Sequence, residues 1–194
     1  MLIGGFQSFT LSDFPGKPAA IIFTQGCNFK CPYCHNQHLL KTSEQHSPSM
    51  EEGVLSFMEK YTGMLEGLVV TGGEPTLQPD LMRFVSAIKS LGFAVKLDTN
   101  GSAPQCLLEL LENNLIDYIA MDVKAPCRKY DQLCGTAVDI ACIRDSMDLI
   151  ASSGIPHHFR TTYYPALLGE EDMQDVKKLV PEGSPYVVQR YIPV

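Results

Sequence analysis

Three cysteines fall within one short run, Gly26-Cys27-Asn28-Phe29-Lys30-Cys31-Pro32-Tyr33-Cys34-His35-Asn36. Their spacing is Cys-x3-Cys-x2-Cys. Cysteine thiolates are the usual ligands of iron–sulfur clusters. Three of them can hold three irons of a cubane and leave the fourth open, and an open metal position is what a coordinating substrate needs. Three other chemistries compete on these residues alone. Cys31-Pro32-Tyr33-Cys34 has the spacing of a redox dithiol at the start of a helix, although that leaves Cys27 without a role. Zinc held by the three cysteines and His35 is a second possibility, weakened by the adjacency of Cys34 and His35 and by the lack of a second half-site. Inert buried thiols are a third, poorly suited to a loop containing glycine and asparagine.

Further polar segments carry potential chemistry. Thr71-Gly72-Gly73-Glu74-Pro75 combines glycines, which permit close backbone approach, with a carboxylate able to accept from a cationic amine. Asp98-Thr99-Asn100-Gly101 reads first as a tight turn. Asp122 and Lys124 stand two apart, and a solvated strand end explains them equally well. Arg160 is a cation in an apolar and aromatic stretch, where a structural ion pair is the plain alternative. His157 and His158 are adjacent, so on a strand they point to opposite faces and are ill placed to share a metal.

The elements around these residues alternate. Ala19–Thr24, Gly67–Thr71, Ala94–Asp98, Tyr118–Val123, His157–Tyr163 and Tyr186–Tyr191 read as six strands. Between them lie five helical stripes. The first carries Val54, Leu55, Met58 and Tyr61, after a capping-box pattern at Ser49–Glu52. The second carries Leu81, Phe84, Val85, Ile88 and Leu91, and is ended by Gly92. A leucine-rich helix starts at Pro104 and runs to about Asn114. Ile140, Ile143, Met147 and Ile150 mark the fourth, closed by Gly154, and Met173, Val176, Leu179 and Val180 the fifth. Buried strands alternating with helices imply a parallel sheet with right-handed crossovers. An open doubly wound sheet and a partial barrel both fit, and both gather chemistry at the strands' C-terminal ends. Each polar segment above follows a strand, which argues for one shared site mouth.

Composition narrows the class. A chain of 194 residues, 45% hydrophobic and 19% charged, suits a single α/β domain. The expected division is an N-terminal extension over 1–18 and a partial barrel over 19–194. No apolar run approaches the ~18 residues of a membrane span, and Met1–Thr10 lacks the features of a secretory signal. The expected location is therefore cytoplasmic, with no membrane partner. A net charge of −7 gives no basic excess for nucleic acid. Seven cysteines, an odd number, argue against a disulfide framework. Cys106, Cys127, Cys134 and Cys142 are scattered and read as structural or incidental.

The cysteine loop, with the aromatic Tyr33 before its last cysteine, resembles the signature of the radical S-adenosylmethionine (SAM) superfamily. The resemblance implies an α/β partial (β/α)6 TIM-like barrel, in agreement with the six strands counted above, with the final helix absent. It implies a [4Fe–4S] cluster on Cys27, Cys31 and Cys34, with the open iron chelating the methionine moiety of SAM, and one electron cleaving SAM to a 5′-deoxyadenosyl radical. Gly72-Gly73-Glu74 matches the element that meets the SAM amino group. Asp98-Thr99-Asn100-Gly101 and Asp122-Val123-Lys124 resemble elements of the enzymes that activate glycyl-radical enzymes. By that resemblance Asp98, Thr99 and Asp122 surround a monovalent cation beside the SAM carboxylate. Lys124 pairs with that carboxylate, Arg160 lies near it, and His35 and Asn36 meet the adenosyl part.

Gly5–Phe9, Asp13–Lys17, Gln25–Phe29 and Asp122–Pro126 look like the corresponding segments of anaerobic ribonucleoside-triphosphate reductase activating proteins. That subfamily implies hydrogen-atom abstraction from a glycine in a partner reductase, with reduced flavodoxin or ferredoxin as electron donor. Residues 37–49 contain no cysteine, so the ferredoxin-like insert of some activases is absent. A six-stranded barrel leaves a lateral opening suited to a macromolecular substrate loop. A radical SAM enzyme acting on a small molecule, such as a deazapurine-forming synthase, and a zinc or redox binding module are the alternatives carried forward.

Overall fold

The computed structural model describes residues 1–40 and 48–193. Seven strands form one sheet in sequence order: β1 (Ile3–Thr10), β2 (Ala19–Thr24), β3 (Gly67–Gly72), β4 (Ala94–Thr99), β5 (Tyr118–Asp122), β6 (His157–Tyr163) and β7 (Tyr186–Arg190). Strands β2 to β7 are parallel, and β1 pairs antiparallel with β2. The helices are α1 (Pro48–Lys60), α2 (Leu81–Ser90), α3 (Pro104–Glu112), α4 (Tyr130–Cys134), α5 (Ile140–Ser152) and α6 (Glu170–Leu179). The six parallel strands occupy the positions read from the sequence, and no helix follows β7 among the described residues. The capping box expected at Ser49–Glu52 depends on the Ser49 side chain, which lies outside the described residues. No helix among the described residues is long and apolar enough to cross a membrane.

The strand order decides between the two candidate architectures. A doubly wound sheet reverses its order at a switch point; this one never does. Right-handed crossovers in unbroken order place every helix on the same face, and the core obeys that. Ile22, Leu68, Val70, Val95, Leu97, Ile119, Met121 and Phe159 form one large cluster with Met58, Phe84, Ile88, Leu107, Leu110, Ile143 and Ile150 of the helices. The alternate strand residues belong to the other, inner face. A small apolar cluster of Phe14, Ala19, Ile21 and Val69 closes its lower end. Towards the strands' C-terminal ends the same face carries Lys96, Asp98, Asp122 and Arg160, joined in ion pairs.

Two departures concern the start of the chain and the loop after β5. Residues 1–18, expected as an extension, contain an edge strand of the same sheet. Its exposed middle and paired glycines, Gly4-Gly5, conceal the usual apolar alternation. Phe14 follows it and is 2% exposed. Its ring stands edge-on to Tyr118 at 6.2 Å between centroids. It therefore plugs the N-terminal end of the half-barrel, opposite the strand ends that carry the polar residues. Phe14→Leu is expected to lower unfolding free energy by about 1–2 kcal/mol while leaving iron loading unchanged. Urea unfolding of the apoprotein beside iron analysis of the reconstituted protein measures both; an unchanged stability would remove the plug. The second departure is α4, a five-residue helix too short to show a hydrophobic period.

Candidate active site

A cavity of about 210 Å³ opens at the C-terminal ends of the parallel strands. Its lining holds every candidate site residue: Cys27, Cys31, Tyr33, Cys34, His35, Asn36, Gly72, Gly73, Glu74, Asp98, Thr99, Asp122, Lys124 and Arg160. Five strand ends thus supply one site. Phe29, Thr71 and Asn100 of the same segments also line it, with Leu40, Thr162 and Gln189 from outside them.

The cysteine loop leaves β2 and is stitched to its neighbours through backbone groups. Gly26 N–H donates to the Leu39 carbonyl at 2.7 Å, Lys30 N–H to the Cys134 carbonyl at 2.7 Å, and Cys34 N–H to the Cys31 carbonyl at 3.1 Å. The next loop is fixed to it: Gly73 N–H donates to the Thr24 carbonyl and Glu74 N–H to the Gly26 carbonyl, both at 2.8 Å. This packing requires both glycines. A Cβ on Gly72 would stand 2.2 Å from the Thr24 nitrogen, and one on Gly73 2.1 Å from the Gly26 carbonyl oxygen. The glycines admit the neighbouring backbone, which carries the cysteines.

All seven cysteines are free thiols. Phe29 N–H points at the Cys27 sulfur at 3.4 Å, and the Asn100 amide reaches the same sulfur at 4.0 Å. Burial pushes the Cys27 thiol up to about 11, against the Phe29 N–H and Lys124. Burial also raises Cys34, opposed by the Asn36 N–H. Cys31 moves the other way, because the Cys134 thiol faces it and Lys124 lies nearby, which outweighs burial. Cys134, read from the sequence as structural or incidental, is fully buried on α4 behind Cys31. Donors aimed at sulfur and a nearby ammonium suit thiolate ligands. Among the described residues no three Cys, His, Asp or Glu side chains are gathered around a single-ion site. The zinc reading also loses His35, whose Nε2 lies 2.8 Å from the Ile192 carbonyl oxygen and whose ring stacks on Tyr191 at 5.2 Å. The dithiol reading lacks the helix its motif should open: the described residues directly after Cys34 form a three-residue 3-10 turn, Gln37–Leu39. Asn36 begins that turn with its carbonyl accepting from Leu39 N–H at 2.9 Å. The Tyr33 ring is buried and stacks on Tyr164 at 5.4 Å. Its hydroxyl, turned towards Cys31, makes no ordinary hydrogen bond among the described residues.

Glu74 is 1% exposed. Its Oε1 accepts from Thr76 N–H at 3.1 Å, the Thr76 hydroxyl at 2.6 Å and the Thr99 hydroxyl at 2.7 Å, and its Oε2 accepts from Asn100 N–H at 2.7 Å. Burial raises its pKa against these four donors. Thr99 faces Glu74 and also accepts from Gly101 N–H at 3.1 Å. Its neighbour Asp98 points to the opposite face, as strand alternation requires.

Asp98, Asp122, Lys124 and Arg160 form a connected set on the inner face, joined by Lys96, which the sequence reading passed over. Arg160 donates from Nε to Asp122 and from NH1 to Asp98, the latter at 3.0 Å. Lys124 donates to Asp122 at 2.7 Å, and Lys96 pairs with Asp98. The signal for Lys96 was its spacing: Lys96-x-Asp98 in a strand puts both side chains on one face. Burial would raise the Asp122 carboxyl, but Arg160 and Lys124 hold it far below the usual carboxylate range. Burial would lower the Lys124 ammonium, but Asp122 holds it well above its ordinary value. His157 and His158 point apart, to Ser184 at 3.0 Å and to the Tyr118 hydroxyl at 3.0 Å.

A depressed folded pKa for Asp122 has a definite sign. Its contribution to stability is complete above the unfolded value of about 3.9 and fades as the pH falls below that towards the folded value. Asp122→Asn is expected to cost about 2 kcal/mol at neutral pH and to flatten the acid limb of the stability profile. Unfolding free energies of the apoprotein across acid pH test this; parallel acid limbs for the two proteins would contradict it.

Comparisons with known proteins follow the same lines. The family model described as Radical SAM superfamily matches residues 21–180. A Methanocaldococcus jannaschii protein, provisionally named a glycyl-radical enzyme activating enzyme, is 36% identical over 99% of this chain and 80% of its own length. A 7-carboxy-7-deazaguanine synthase from Neisseria meningitidis is 28% identical over 81% of this chain and 68% of its own length. Among solved structures, Streptococcus suis SuiB bound to its precursor peptide SuiA superposes with a TM-score of 0.68 at 15% identity. That match covers 89% of this chain and 38% of SuiB.

Proposed function

Because the chain belongs to the radical SAM superfamily, we propose that it is an activase that cleaves SAM reductively and installs a glycyl radical on a partner enzyme. In this reading the partner is an anaerobic ribonucleotide reductase, the electron donor a reduced flavodoxin or ferredoxin, and the setting the cytoplasm. The observation that carries the reading is the convergence of the three cysteines and a cationic strand-end cluster on one cavity. The likeness to the M. jannaschii protein over 99% of this chain favours an activase over a small-molecule enzyme.

Cys27, Cys31 and Cys34 would hold the [4Fe–4S] cluster, which when bound supplies an electron and an open iron to SAM. The protein's own groups do the rest. Lys124 and Arg160 present positive charge where the SAM carboxylate is to sit. Glu74 Oε2, with one hydrogen bond made, retains an acceptor site for the SAM amino group. Phe29 and the Tyr33 ring, both buried, keep water from the sulfurs. Gly72 and Gly73 hold the two loops together, and His35 and Asn36 lie on the side assigned to the adenosyl moiety. A monovalent cation beside Asp98, Thr99 and Asp122 does not fit the side chains as they stand. Thr99 faces away from Asp98, and both carboxylates already have cationic partners.

The test is anaerobic. The reconstituted, dithionite-reduced protein with SAM is expected to release 5′-deoxyadenosine. Addition of the candidate reductase is expected to give a glycyl-radical signal by electron paramagnetic resonance (EPR). The deazaguanine synthase relative supports a second reading: sustained SAM cleavage with no protein radical on any candidate partner would favour a small-molecule substrate. No 5′-deoxyadenosine from a reduced, SAM-bound cluster would overturn both.

A further inference from the structure

The inner face carries an unbroken alternation of charge: Lys96, Asp98, Arg160, Asp122, Lys124. Each of the four carboxylate oxygens in it meets a side-chain cation. Asp98 Oδ1 takes Lys96 and Oδ2 takes Arg160; Asp122 Oδ1 takes Arg160 and Oδ2 takes Lys124. Three cations against two anions leave one positive charge, at the end of the set that lines the cavity. Sheet geometry makes this possible. Asp122 and Arg160 are direct partners across β5 and β6, while Asp98 is one strand further and pairs with Ala120. Ala120 has no side chain beyond Cβ, so the guanidinium can cross β5 and engage both carboxylates. A lysine, with one nitrogen, is a point charge and lacks this fork. Arg160 is mostly buried, its side chain 18% exposed.

We propose that Arg160 is the resident cation of this site: its guanidinium holds the position between Asp98 and Asp122, and the protein needs no monovalent metal ion there. An added ion would face a guanidinium and two ammonium groups at close range, and each carboxylate oxygen there already meets a cation. One positive charge in excess is also what a single ligand carboxylate neutralises. The inference deepens the SAM reading and rests on it only for the identity of that carboxylate; the arrangement of Arg160 stands without it.

The test uses the apoprotein, so it is independent of SAM cleavage. Thermal midpoints are measured in sodium, potassium and tetramethylammonium chlorides at constant ionic strength, for the wild type and for Arg160→Met. The wild type is expected to melt at the same temperature in all three. Arg160→Met is expected to melt lower in tetramethylammonium and to be raised saturably by sodium or potassium. The rise should be roughly 5–10 °C at a hundredfold excess over Kd, as binding linkage requires. Arg160→Gln serves the same purpose if the methionine variant does not fold. A saturable sodium or potassium effect on the wild type overturns the proposal, and so does a folded variant that acquires none. The wild-type arm decides alone if neither variant folds. Sodium-23 linewidths of the wild-type apoprotein must likewise show no saturable binding. If the proposal fails while 5′-deoxyadenosine is still produced, only the role of Arg160 is lost; if SAM cleavage fails while the salt result holds, only the activity is.

Discussion

Replacing any one of Cys27, Cys31 and Cys34 by alanine is expected to take 5′-deoxyadenosine formation below detection in the anaerobic assay. Removing a group that merely supports a metal ligand costs 10–100-fold in metal affinity or activity; removing a ligand should exceed about a hundredfold. The geometry makes the three positions non-equivalent in the apoprotein yet equal in outcome. Cys27 is anchored by the Phe29 N–H, Cys31 lies against Cys134, and Cys34 is tied back to the Cys31 carbonyl. The loop that carries them is pinned at Gly26 and Lys30. Iron and sulfide per chain should fall with activity in each variant.

The decisive contrast is Cys134→Ala. Cys134 is the cysteine best placed to be mistaken for a ligand, being buried beside Cys31. It should retain a full cluster and SAM cleavage. Cys106→Ala, Cys127→Ala and Cys142→Ala should behave like it. Loss of iron from Cys134→Ala equal to that from Cys31→Ala would mean that the ligand set has been misassigned. A variant at 27, 31 or 34 that keeps both iron and SAM cleavage would refute the cluster assignment directly.

The parts of the fold that were legible in the sequence are those with a strong local period. Leu81, Phe84, Val85 and Ile88 announce α2, and each is at most 1% exposed. The apolar runs of β2 and β3 announce strands buried on both faces. What escaped has a physical reason in each case. The strand Ile3–Thr10 is an edge with an exposed centre. The helix Tyr130–Cys134 is shorter than two turns. Cys134 meets Cys31 only because α4 packs on the cysteine loop, a long-range contact that spacing cannot reveal. The candidate site residues stood out because chemistry-bearing types cluster after strands, and they line one cavity, but their packing against one another was not legible. Gly72 and Gly73 admit the Thr24 and Gly26 backbone, a contact between loops that no local pattern reveals. Asp98 and Thr99, expected around one cation, face opposite sides of β4. Sequence placed the residues on one edge; the sheet's pleat decides which of them face each other.

Glu74→Ala is expected to lower unfolding free energy by about 4 kcal/mol, a larger loss than that expected of Phe14→Leu or Asp122→Asn. Hydrogen bonds to a charged group contribute about 1.5–3 kcal/mol each, and a buried donor left alone costs about 1–3 kcal/mol. Removing the carboxylate strands the Thr76 and Asn100 N–H groups and two hydroxyls, while relief from burying a charge offsets part of the loss. The damage should reach the cysteines. Asn100 is placed by Glu74 through its N–H, and its side chain donates to Asn28 at 3.0 Å and approaches Cys27. The Ala variant should therefore lose iron on reconstitution as well as stability. Glu74→Gln separates positioning from charge. Its carbonyl oxygen can keep the three Oε1 bonds while its amide meets the Asn100 N–H donor to donor, at a cost of about 1–2 kcal/mol. If Glu74 Oε2 also receives the SAM amino group, the Gln variant should keep its cluster yet lose the SAM-induced change in the reduced cluster's EPR spectrum. Chemical denaturation, iron content and that spectrum read the three effects apart. A Gln variant that binds SAM as the wild type does would leave Glu74 a purely structural clamp. An Ala variant as stable as the wild type would deny it even that.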